Sequence, residues 1–204
     1  MNAGHTAQEA APEAPARGAG KIVVLTAPSG SGKTTIARRV LAAFPEMRFS
    51  VSATTRPPRP GEIDGVHYHF ISEDAFRRLI DEGAFIEYEE VYPRRFYGTL
   101  VREVREAART GPVLLDVEVK GAMNVKRLFG DDAFVIFIRP PSLAVLAERL
   151  RQRGTETEES LRTRLERAAH ELEYADRFDA VVVNDNLDRA TEETLRLVRS
   201  FLER

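Results

Sequence analysis

The chain has 204 residues, a length that suits one domain or one core with small insertions, and 43% hydrophobic residues can build a buried interior. A formal net charge of −2 gives no bulk basic field to attract nucleic acid, and no apolar run approaches membrane-spanning length. The absence of cysteine excludes disulfides, thiolate-bound zinc and thiol catalysis.

Residues 1–20 are rich in Ala, Pro and Gly and lack the apolar core of a signal peptide, so they read as a disordered tail. From Lys21 an apolar, mostly β-branched run, Ile22 to Leu25, stops at a small-residue loop, Ala27-Pro28-Ser29-Gly30-Ser31-Gly32-Lys33-Thr34-Thr35, and a helical pattern follows. This is the strand, loop and helix order of a phosphate-cradling P-loop. Backbone N–H groups of such a loop and the positive end of the next helix face an anion. Lys33 reaches the β- and γ-phosphates of a nucleotide in that arrangement, and the Thr34 hydroxyl meets Mg²⁺. The consensus opens with Gly where this chain has Ala27, so the pattern is met loosely at its first position.

Residues 50–98 read as a small mixed β/α insertion, with Pro57, Pro58, Pro60 and Pro93 breaking the rhythm. Within it, Asp64-Gly65 followed by the alternation Val66 to Phe70 predicts a hairpin. Residues 72–81 predict a helix capped by Ser72, with Gly83 just past its end. Arg56 and Arg59 lie near Tyr68 across a proline-stiffened loop, which suits a dianionic phosphate. The same prolines also satisfy a PxxP linker pattern, and composition does not choose between the two. His67 and His69 share a face of the expected strand, without a third ligand at metal spacing.

Beyond the insertion, apolar runs at 113–117, 133–138 and 180–183 read as buried parallel strands. Helical patterns cover 33–43, 100–109, 120–129, 143–153, 158–172 and 187–202. Alternating strands and helices argue an open α/β sheet with ligands at the strand C-termini. The polar stretch 152–159, centred on Gly154, sits where a mobile lid could lie. Arg149 and Arg153 fall on one helix face, which by itself also fits a solvated basic face, since 26 of the 30 basic residues are arginine.

Taken together, APSGSGKTT, SATTRPPRPGE, FIEY, YGT, LLDVEVKG, RGTETEES and VVVND occur in the order found in guanylate kinases, and the chain resembles that family from Lys21 to its end. The resemblance implies an α/β P-loop NTPase core in three layers around a mainly parallel five-stranded sheet. The core would comprise residues 21–49, 99–140 and 165–204, with a GMP-binding subdomain at 50–98 and a lid at 141–164. It implies ATP and GMP (or dGMP) as substrates, Mg²⁺ as cofactor and direct in-line transfer, with no nucleic acid or membrane partner. A cytoplasmic location is expected, and monomer or homo-oligomer is left open.

The resemblance also assigns residues. Ala27 to Thr35 and Asn184 serve the donor nucleotide; Lys33, Asp116, Arg149, Arg153 and Arg164 serve the transfer. Arg56, Arg59, Tyr68 and Tyr97 hold the GMP phosphate, and Glu62 braces the arginines. Ser52, Glu87 and Thr99 read the guanine, with Asp116 and Glu118 near the acceptor or the metal held by Thr34. Guanine offers N1–H and N2–H₂ as adjacent donors, and one ionised carboxylate accepts from both; adenine has an acceptor at N1 and leaves that charge unpaired. Among Glu89 and Glu90, a solvated strand position is the other reading of Glu87. Two positions depart from the family pattern: Asp116-Val117-Glu118 replaces Asp-x-Asp, and Lys120 replaces a frequent glutamine. The rival readings are a guanylate-kinase-like binding module without activity and a kinase for another small phosphate acceptor.

Overall fold

A computed structural model describes residues 20–152 and 158–204. Five strands form the main sheet: β1 (Ile22–Thr26), β2 (Arg48–Phe49), β7 (Val113–Asp116), β8 (Ala133–Arg139) and β9 (Ala180–Val183). They lie in the order β2-β7-β1-β8-β9, and every pair is parallel. β1 is buried along its whole length because it is the central strand with helices on both faces.

Alternate residues of β1 feed two different cores, as the period of a strand requires. Val23 and Leu25 pack with Ile36 and Val40 of α1 (Lys33–Ala43) and with Val198 and Phe201 of α7 (Leu187–Leu202). Ile22 and Val24 pack with Val104 and Ala108 of α3 (Val101–Thr110) and with Val125 and Leu128 of α4 (Val119–Phe129). The expected three layers follow. Each fully buried Val, Leu or Ile contributes about 1.5–3 kcal/mol, so this sheet is the rigid platform for the loops at its C-terminal edge.

A second sheet has the order β4-β3-β6-β5, built from β3 (Ala53–Thr54), β4 (His69–Phe70), β5 (Phe85–Tyr92) and β6 (Arg95–Leu100). Its own small core centres on Phe76 of α2 (Glu73–Asp81), which stacks on Phe85 at 4.3 Å and on Phe96 at 5.3 Å between ring centroids. Ser72 caps α2 by accepting from the Ala75 N–H at 3.2 Å, and Gly83 follows the helix at φ 64°, both as the sequence predicts. Helices α5 (Leu143–Gln152) and α6 (Glu158–Leu172) pack through Leu146, Leu150, Leu161 and Ala168.

Three expectations change. The Asp64-Gly65 turn forms, with Gly65 at φ 73°, but no hairpin follows. The Val66 and His67 N–H groups fold back onto Ile63 O, and Asp64 Oδ1 accepts from the Phe70 N–H at 2.8 Å. A short polar side chain has captured a backbone donor that a hairpin ladder would have used, leaving only His69–Phe70 extended and parallel to β3. β2 was not expected: both its residues are exposed, and it is a strand only through its pairing with β7. The run at 180–183 is only partly buried, with Val183 42% exposed, because β9 is an edge strand.

Candidate active site

The loop after β1 is shaped by two left-handed glycines, Gly30 at φ 92° and Gly32 at φ 89°. Gly32 also leaves room for a neighbour. A Cβ there would stand 2.4 Å from Asn184 Nδ2, which donates to Ser31 O at 2.7 Å. Asn184 directly follows β9 and is buried, so the far side of the sheet braces the loop. Ala27 is tolerated at the first consensus position because its φ is not positive; among the described residues Arg94 is the only non-glycine with positive φ.

Lys33 begins α1, and its Nζ donates to Val117 O at 2.8 Å and meets Asp116 Oδ1 at 2.7 Å. The contact follows from topology: β1 and β7 are neighbours in register, with Leu25 opposite Asp116. Thr34 and Thr35 lie exposed in the first turn of α1, where unsatisfied helix N–H groups collect. Two arginines from the α5–α6 pair reach the same region. Arg149 donates to Asn184 O at 2.9 Å, and Arg164 donates to Ser29 Oγ at 3.0 Å. Arg153 and the centre of the expected lid lie outside the described residues.

The second cradle is built on Arg56. Its guanidinium donates twice to Glu62, at 2.6 Å and 2.6 Å, and its face lies over the rings of Tyr68 at 5.0 Å and Phe70 at 5.4 Å. Glu62 also accepts from the Arg59 backbone N–H at 2.7 Å, which closes the proline loop on itself. These hydrogen bonds, Arg56 first, hold the Glu62 carboxyl well below its ordinary range, at about 2. Glu62 in turn raises the Arg56 pKa, with the Tyr97 hydroxyl adding to it. Tyr97 lies edge-on to Tyr68 at 5.8 Å, so both phenols border the arginine, while the Arg59 side chain is exposed.

On β5 and β6, Glu87 and Thr99 are cross-strand partners, and the Thr99 hydroxyl donates to Glu87 Oε1 at 2.6 Å. Burial pushes the Glu87 carboxyl up, with Thr99 working in the opposite direction. Glu87 opens into a cavity of about 1020 Å³ between β5, the start of α4 and α6. Gly121 lets α4 approach: a Cβ there would lie 2.7 Å from Glu87 Cγ. Asn124 on the same helix donates to Ile86 O at 2.8 Å and fixes the distance between α4 and β5. Ser52 is half-buried and holds β4 through its carbonyl, accepting from the His69 N–H at 2.9 Å; among the described residues it has no hydrogen bond to Glu87 or Thr99.

Asp116 and Glu118 turn to different partners, Lys33 for the first and Arg167 of α6 for the second. Among the described residues no group of three His, Asp or Glu is arranged to hold a metal. Contrary to expectation, His67 and His69 do not share a strand face, since residue 67 lies in the turn. His67 Nδ1 accepts from the Ile63 N–H at 3.0 Å, and His69 faces Glu103 at 3.1 Å. Sequence reasoning assigned no role to Gly121, Asn124, Arg167 or Glu171. Gly121 carried a signal, as a glycine inside a helical pattern two residues after the strand–helix junction; the others did not stand out from the polar background.

The guanylate kinase family model matches residues 19–201. A guanylate kinase of Salinibacter ruber is 64% identical over 181 residues, covering 89% of this chain and 96% of that protein. One of Chlorobium luteolum is 55% identical over 184 residues, covering 90% and 93%. The crystal structure of guanylate kinase from Anaplasma phagocytophilum superimposes with a TM-score of 0.66 at 30% identity, covering 91% of this chain and 87% of that one.

Proposed function

The chain belongs to the guanylate kinase family and phosphorylates GMP with ATP, and we propose that it does so by direct in-line transfer between two cradles joined by the segment from Asp116 to Gly121. One observation carries this reading. Asp116, at one end of that segment, pairs with the P-loop Lys33, while Gly121, at the other, packs on Glu87. Donor and acceptor groups are thereby referenced to the same short piece of backbone.

In this scheme residues 27–35 and Asn184 form the donor site, and Lys33 leaves Val117 O to meet the β- and γ-phosphates. Arg56, Arg59, Tyr68 and Tyr97 take the GMP phosphate, with Glu62 fixing Arg56. Glu87 accepts from guanine N1–H and N2–H₂, and Thr99 and Ser52 complete the edge. Arg149, Arg153 and Arg164 neutralise the transferring group when the α5–α6 lid and the 50–98 subdomain close and exclude water. A phosphate oxygen already carries charge near neutral pH, so positioning and charge neutralisation suffice and no strong base is needed. The same site admits dGMP, since none of these groups is assigned to the 2′-hydroxyl.

The oxygen donors fit magnesium. Thr34 supplies a hydroxyl and Asp116 a carboxylate, and Mg²⁺ keeps its waters and takes phosphate oxygens rather than needing a protein cage. When bound, it offsets charge on the nucleotide phosphates. Among the described residues no helix is long and apolar enough to cross a membrane; the cytoplasm follows from the substrates. The rival binding-module reading is not favoured, because the P-loop is intact through Lys33 and Thr34.

The test is ADP release measured across GMP, dGMP, AMP, CMP, UMP and dTMP. GMP dominates, Glu87→Gln narrows that preference, and Lys33→Met lowers kcat on the order of 10²- to 10³-fold. Equal use of the monophosphates would overturn the base-reading site.

A further inference from the structure

Glu118 is the position where the chain departs from the Asp-x-Asp pattern, and its carboxylate has a partner on α6. Arg167, near the middle of α6, forms an ion pair with Glu118. It also reaches Glu89 of β5 at 3.6 Å and is held by Glu171 of its own helix at 2.9 Å. One guanidinium therefore bridges the acceptor-side sheet, the strand–helix junction of the core, and helix α6. These contacts lie on the wall of the cavity into which Glu87 opens.

We infer that Arg167 is a positioning residue for the acceptor base: it holds Glu118 and Glu89 off Glu87, so that Glu87 is the carboxylate left free to receive guanine. This rests on the reading of Glu87 as the base-recognising group. Guanine brings two adjacent donors and no net charge, enough for one carboxylate. A cavity lined by Glu87, Glu89 and Glu118 carries more negative charge than such a ligand can satisfy. Thr99 of β6, Glu89 of β5 and Lys33 of α1 act on Glu87 directly, and Glu118 and Lys120 at the start of α4 and Arg167 with Glu171 on α6 line the same cavity. His170, Glu173 and Arg177 line the remaining wall. Glu89 already pushes Glu87 toward its neutral form, and Lys33 opposes it. Arg167 is half-exposed, so its pairs are individually modest, and its effect comes from engaging two acidic neighbours of Glu87 at once.

The experiment compares wild type, Arg167→Gln, Arg167→Lys and Glu87→Gln for KM and kcat with GMP, KM for ATP, and kcat/KM for GMP against pH. In Arg167→Gln the KM for GMP rises about fivefold, the size that a few half-exposed pairs supply. Its kcat at saturating GMP and its KM for ATP stay within twofold. The acidic limb of kcat/KM moves to higher pH, because Glu89 and Glu118 lose their shared counter-charge. Arg167→Lys recovers part of both effects. A GMP KM and pH limb unchanged in Arg167→Gln would overturn the inference, as would a loss confined to kcat or to ATP. If Glu87→Gln itself left the preference for GMP over AMP intact, the base-reading site would fail; if Glu87→Gln lowered the preference while Arg167→Gln did nothing, only the role of Arg167 would fail.

Discussion

Gly121 vacates the space that Glu87 occupies: a Cβ at position 121 would lie 2.7 Å from Glu87 Cγ and 3.1 Å from Glu87 Cβ. Glu87 cannot simply swing away, since its carboxylate is tied to Thr99 at 2.6 Å. Gly121→Ala therefore sets two effects against each other. Alanine favours α4 by about 1 kcal/mol over glycine, yet it displaces the carboxylate. The expected outcome is a melting temperature at or near that of wild type with a KM for GMP raised about tenfold, as small misplacements of a positioning group produce. KM for ATP stays unchanged. Steady-state kinetics with thermal denaturation on the same preparation checks both halves.

The pKa values of Glu87 and Glu62 are displaced in opposite directions. Burial raises the Glu87 pKa above its ordinary 4.5, so the ionised form that the proposed guanine contact needs is lost at a higher pH than for a free glutamate. The profile of kcat/KM for GMP accordingly falls on acidification through a pKa above 4.5, and Glu87→Gln removes that limb. Because the raised pKa belongs to the folded state, ionisation of Glu87 costs stability, and this contribution worsens as pH rises from 4.5 through the folded value.

Glu62 is lowered from 4.5 to about 2 by Arg56 and the Arg59 N–H. Its stabilising contribution is complete above 4.5 and is lost as pH falls through about 2. Denaturant unfolding of wild type and Glu62→Gln is expected to show a constant stability gap above pH 5, narrowing between about 4.5 and about 2. A gap independent of pH across that window would mean the pair contributes by shape alone. In Glu62→Gln the KM for GMP also rises, since Arg56 loses its fixed orientation.

Gly32→Ala places a side chain at φ 89° and brings its Cβ to 2.4 Å from Asn184 Nδ2. The left-handed backbone costs about 1–3 kcal/mol for a non-glycine residue, and the contact breaks the bond from Asn184 to Ser31 O. A lower melting temperature and a higher KM for ATP are expected. Adding Asn184→Ala relieves the contact but not the backbone strain, so a double variant recovers only part of the stability, measurable by calorimetry.

Much of this architecture was legible from short windows of residues. The run Ile22 to Leu25 is wholly buried as expected, and the helices at 33–43, 158–172 and 187–202 have the expected bounds. The P-loop lysine was readable from its spacing alone. The parts that were not legible are those in which one residue's role depends on a distant partner. β2 has two exposed residues and no pattern of its own. The Asp64-Gly65 turn carried a hairpin signal, but the Asp64 side chain took the Phe70 N–H instead.

The arginine–tyrosine pocket and the purine-reading role of Glu87 entered only through the resemblance to guanylate kinases, whereas sequence alone determined a strand, a glycine loop with its lysine, and the helices of an α/β chain. Those signals are local, because glycine dihedrals, helix periodicity and side-chain charge act within a few residues. Only tertiary structure decided that Asp116 pairs with Lys33 while Glu118 pairs with Arg167, that Asn184 braces the loop from across the sheet, and that Gly121 yields its space to Glu87. Those outcomes are set by the parallel registers of β1 with β7 and, through β8, of β1 with β9, and by the close approach of α4 and α6 to β5, which bring charges and atoms together irrespective of their separation along the chain.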